Sequence, residues 1–78
     1  MFFNKKKKKI LLIKGMHCEK CAERVKNSLE EISLVNKVKV NLKYGNATIY
    51  YDMGIDNELL SNKIEELGYS VIGIKDIN

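Results

Sequence analysis

The sequence predicts an α+β domain with the element order βαββαβ. Three observations lead there: four short runs rich in branched apolar residues, two stretches between them whose apolar residues recur every three or four positions, and a central turn, Lys43-Tyr44-Gly45-Asn46. At 78 residues the chain has room for one sheet and a pair of helices, near the lower limit of what folds alone.

The first strand is expected over about residues 9–14, with Leu11 and Ile13 on one face and Ile10 and Leu12 on the other. From about Glu19 to Ile32, the apolar residues Ala22, Val25, Leu29 and Ile32 form one stripe of an amphipathic helix, opposite Glu23, Lys26 and Glu30. Strict alternation follows from Val35 to Leu42, with Val38, Val40 and Leu42 facing the core and Lys37, Lys39 and Asn41 facing water. After the turn, Ala47, Ile49 and Tyr51 alternate with Thr48, Tyr50 and Asp52, which completes a hairpin. Asp56 or Asn57 can cap a second helix with the face Leu60, Ile64 and Leu67, and Gly68 stands where a left-handed helix terminus belongs. A last strand runs from about Tyr69 to Lys75. Right-handed crossovers then give a four-stranded antiparallel sheet with both helices on one face, the ferredoxin-like sandwich.

The formal charge of +4 points toward nucleic acid or an anionic membrane, but the run Lys5 to Lys9 accounts for five of the 14 basic residues. Without it, nine basic residues face ten acidic ones. Residues 1–8 are therefore expected to be a basic flexible tail, solvated and at most weakly attracted to anionic surfaces, and residues 9–78 the folded domain. The apolar stretch Ile10 to Ile13 is too short for a secretory signal, which needs about 7–15 residues, or for a membrane span, which needs about 20. The expectation is a cytoplasmic protein with no membrane insertion and with its thiols reduced. The chain opens at Met1 and closes three residues after the last expected strand, which favours a free-standing protein over a domain of a transporter.

Both cysteines stand three positions apart in Gly15-Met16-His17-Cys18-Glu19-Lys20-Cys21, where the first strand hands over to the first helix. Thiolates are soft ligands that favour Cu(I), Hg(II) and Zn(II) over hard cations. Cys21 falls in the first helical turn, where unpaired N–H groups and the positive end of the dipole stabilise anionic sulfur, and Lys20 adds a nearby charge. At least one lowered thiol pKa is expected. A closed structural zinc site wants four ligands, whereas the candidates here are Cys18, Cys21 and the single His17. Two thiolates around Cu(I) carry a net charge of −1 and leave the ion open to a partner's thiols, so binding and handing over become one design.

The run Gly-Met-His-Cys-Glu-Lys-Cys-Ala at 15–22, its distance to the central hairpin, and Glu66-Leu67-Gly68-Tyr69 resemble the heavy-metal-associated domain. That family comprises bacterial copper chaperones and the amino-terminal metal-binding domains of copper-transporting ATPases, with a periplasmic mercury-binding protein as a relative. The resemblance spans about residues 9–75. It implies metal ligation by Cys18 and Cys21, with Cu(I) as the ion and Zn(II), Cd(II) or Hg(II) as alternatives. It implies a Met16 packed beneath the loop, and a Tyr69 near the metal whose ring shields it or tunes release. His17 is expected to face solvent without ligating; with Met16, Lys20 and Tyr69 it completes the set of neighbours able to tune the site. The implied partner is the homologous domain of a copper-transporting P-type ATPase, with a copper-responsive repressor as another. The implied state is a monomer, or a dimer bridged by metal.

Rival functions fit less well. A thiol-disulfide oxidoreductase also places Cys-x-x-Cys at a helix start, but the element order differs and the chain has no proline. An RNA-recognition module shares the βαββαβ order, yet Asn46 to Tyr51 lacks the basic-glycine-aromatic pattern that stacks bases, so no nucleic acid is expected. With no nucleophile-base pair and no phosphate loop, no enzyme activity is expected.

Overall fold

The computed structural model describes residues 7–52 and 54–77. The elements are β1 (Lys7–Lys14), α1 (Glu19–Glu30), β2 (Val35–Asn41), β3 (Asn46–Tyr51), α2 (Asn57–Glu66) and β4 (Ser70–Ile77). The strands form one antiparallel sheet in the order β2-β3-β1-β4, so each helix carries the chain across an intervening strand. This is the expected ferredoxin-like fold, and its alternation is the expected one. Leu11, Ile13, Val38, Ala47, Ile49 and Tyr51 turn inward to meet Val25, Leu29, Leu60 and Ile64 of the helices in a single core.

Three boundaries differ from expectation by two residues. β1 starts at Lys7, so Lys7 and Lys8, expected in the tail, pair with Tyr51 and Tyr50 of β3, while residues 1–6 lie outside the described part. The adjacent lysine, Lys9, points inward and is 6% exposed. Its ammonium is matched by Asp76 of β4 and lies 5.6 Å from the Tyr51 ring, which is how a strand tolerates a charge on its buried face. β4 correspondingly runs two residues past Lys75. α1 stops at Glu30, where Glu31 and Ile32 donate to Ser28 and Leu29 and tighten the last turn; Ile32 still reaches the core.

The end of α2 sets the position of Tyr69. Gly68 has φ +96°, Tyr69 N–H donates to Ile64 C=O (3.3 Å), and Gly68 N–H donates to Glu65 C=O (3.0 Å). Those two bonds form a complete Schellman motif. It reverses the chain sharply and delivers Tyr69 to the start of β4, beside the loop between β1 and α1.

Candidate metal centre

The loop is shaped by Gly15, whose φ of +105° is open to glycine and strained for other residues. A β-carbon there would also press to 3.1 Å from Cδ1 of Tyr69, so the loop and the tyrosine ring are in close contact. Met16 then turns down into the core at 6% exposure and pins the loop from below, while His17 and Cys18 remain exposed.

Cys18 is the N-cap of α1. Its sulfur accepts from the N–H of Cys21, 3.3 Å away, the bond a serine or aspartate makes at a helix start. The same first turn brings the sulfurs of Cys18 and Cys21 to 2.7 Å. Both cysteines are free, and one thiol donates to the other. The Cys21 pKa falls from the ordinary 9.0 to about 6, chiefly through the hydrogen bond from Cys18, then through the Tyr69 hydroxyl and the backbone N–H of His17. The expected lowered thiol is therefore Cys21, and backbone N–H groups of the loop and helix start take part. Lys20, expected to contribute charge, is exposed and is not among the groups that shift Cys21.

Tyr69 feels the reciprocal effect. Its pKa is raised, first by the bond to Cys21 and then by burial, and Arg24 opposes the rise. No motif marks Arg24 in the sequence. The one available signal is its spacing: it follows Cys21 by three positions, one turn along the same helix face.

Among the described residues no group of three or more His, Cys, Asp or Glu side chains is arranged to hold a metal. What the loop offers is a pair of sulfurs, one of them readily ionised. A metal about 2.3 Å from each sulfur requires them to stand about 3.8 Å apart for a tetrahedral angle and about 4.6 Å for a linear one. A metal held by both sulfurs would require the pair to open from 2.7 Å. Cys18 is the more exposed of the two, and half-buried Cys21 lies in the first turn of the helix.

Comparison with known proteins places the chain in a family. The model of the heavy-metal-associated domain matches residues 10–70. The copper chaperone CopZ of Staphylococcus epidermidis is 34% identical over 64 residues, covering 81% of this chain and 94% of that protein. The mercuric reductase of Shewanella putrefaciens is 40% identical over 60 residues, 77% of this chain, but the chain spans only 11% of that enzyme. A solved CopZ metallochaperone has a TM-score of 0.78 at 32% identity, covering 83% of this chain and 98% of its own. Motif, element order and near full-length relatives converge, and the chain belongs to the heavy-metal-associated domain family.

Proposed function

We propose that this protein is a cytoplasmic carrier of Cu(I), not an enzyme, which holds the ion on Cys18 and Cys21 and passes it on by ligand exchange. The recipient is the homologous metal-binding domain of a copper-transporting P-type ATPase, with a copper-responsive repressor as a second recipient. The observation that carries this reading is the two-sulfur site on an exposed loop, with no third ligand gathered among the described residues. Cu(I) is satisfied by two thiolates, and an ion held by two ligands stays open to a third from the partner. The ionised Cys21 supplies one thiolate near neutral pH, and the Tyr69 hydroxyl hydrogen-bonds it.

Hg(II) is the second reading, supported by the kinship with a mercuric reductase and by the same two-thiolate chemistry. The test is a competition titration of the reduced protein with Cu(I) and Zn(II) against chromogenic chelators, on the wild type, Cys18→Ser and His17→Ala. Tight 1:1 Cu(I) binding that is lost in Cys18→Ser and kept in His17→Ala is expected. Strong zinc binding that depends on His17 would overturn the assignment. Transfer separates Cu(I) from Hg(II), because any dithiolate binds Hg(II) tightly: only the physiological ion should pass rapidly to the acceptor domain.

A further inference from the structure

The summed charge hides how the charges are layered. The four strands contain seven lysines and a single carboxylate, Asp76, which is engaged by Lys9. The two helices with their caps Glu31 and Asp56 contain eight carboxylates against four basic side chains. The molecule therefore has a basic sheet under an acidic helical layer.

The strand register shows where the lysines go. Lys8, Ile10, Leu12 and Lys14 of β1 alternate with the core-facing positions, and so face away from the helices. Lys8 and Lys37 flank Tyr50, Lys39 stands opposite Thr48, and Lys75 stands opposite Ile10, all on that same outer face. Within the strands no aspartate or glutamate shares it, and exposed Asp52, directly after β3, is the one carboxylate that the alternation of Thr48 and Tyr50 would place there.

We propose that this open sheet face docks the protein on an anionic phospholipid bilayer. Charge complementarity selects the surface, and repulsion of the acidic helices by the same surface orients the molecule. The face is built from lysine alone, since the one arginine of the chain, Arg24, lies on α1; lysine acts as a point charge and lacks the planar fork suited to specific phosphate recognition. Half-buried Ile10 and Leu12 offer apolar groups that a headgroup boundary accepts. A single-stranded nucleic acid fits worse. It needs open aromatic rings, and Tyr50, half-buried, is already covered by Lys8 and Lys39 at 5.8 and 5.9 Å. Docking by this face leaves the helices and the Cys18–Cys21 loop on the aqueous side. The face is separate from the cysteine pair, and its docking role stands whether or not the metal assignment does.

The test is flotation of the whole protein with phosphatidylcholine vesicles, with and without phosphatidylglycerol. Lys39→Gln/Lys75→Gln is compared with the equally charged Lys26→Gln/Lys63→Gln on the helices. The wild type should bind only the anionic vesicles and be released by added salt. The sheet variant should bind about 25-fold more weakly, from about fivefold per lysine at a membrane surface, and the helix variant should stay within about threefold of wild type. Equal losses in both variants, salt-insensitive binding, or retention on pure phosphatidylcholine would overturn the proposal. Tighter binding to a single-stranded oligonucleotide than to the anionic vesicles would replace it with a nucleic-acid surface.

Discussion

Cys21 shows how much a single helical turn does for one sulfur. Its pKa of about 6 makes it mostly thiolate at neutral pH, and the largest cause is the neighbouring Cys18 thiol, ahead of Tyr69 and the backbone. Thiolate absorbance followed against pH should therefore show a first midpoint near 6 in the metal-free wild type. Cys18→Ala should move the remaining midpoint up toward the ordinary 9.0, and Tyr69→Phe should raise it by less. Because the folded pKa lies below the usual one, the Cys21 thiolate adds stability that is fully present above pH 9.0 and is lost as pH falls through about 6. A first midpoint near 9 in the wild type would remove the ionised sulfur from the account. The importance of these residues is legible in the sequence, because Cys-x-x-Cys at a strand-to-helix junction has a direct chemical meaning. The part played by Arg24 is not, because the helix face that looks at Tyr69 depends on where the Schellman turn after Gly68 sends the chain.

At the scale of elements, periodicity reads most of the fold and fails where charge contradicts it. Leu11, Ile13, Val38, Ile49, Leu60 and Ile64 are all buried where alternation or helical spacing puts them. The lysine run is another matter. Five consecutive lysines resemble a solvated tail, and only a cross-strand partner 67 positions away, Asp76, lets Lys9 enter the sheet. No local pattern carries that information. The pair also makes an asymmetric prediction. Asp76→Ala leaves a nearly buried ammonium without its partner and should destabilise by about 1–2 kcal/mol, below the cost for a fully buried pair because the aspartate end is open to water. Lys9→Met removes the charge but keeps the apolar stem against Tyr51 and should cost less than about 1 kcal/mol. Urea unfolding of the two variants decides it: equal losses would mean that the pair is a screened surface contact with no desolvated partner.

The whole molecule joins a small core to a site that only the folded chain assembles well. A 78-residue domain has a stability of roughly 4–12 kcal/mol, so the core has little in reserve. Leu29 is fully buried on α1, the helix whose first turn holds Cys21 and whose N-cap is Cys18. Leu29→Ala should cost about 2–5 kcal/mol and bring the metal-free protein close to its unfolding threshold. Metal binding pulls the other way. An ion that binds the folded form alone adds about 2.7 kcal/mol at a free concentration 100 times its dissociation constant. Saturating Cu(I) should therefore return the urea midpoint of Leu29→Ala to near that of the metal-free wild type, and should do nothing for the double variant Leu29→Ala/Cys18→Ser. Cu(I) that binds Leu29→Ala without moving its midpoint would mean that two cysteines three positions apart hold the ion equally well in an unfolded chain. The fold would then contribute exposure and a docking surface to metal transfer, and the hydrogen-bonded loop around Cys21 would have no part in retaining the ion.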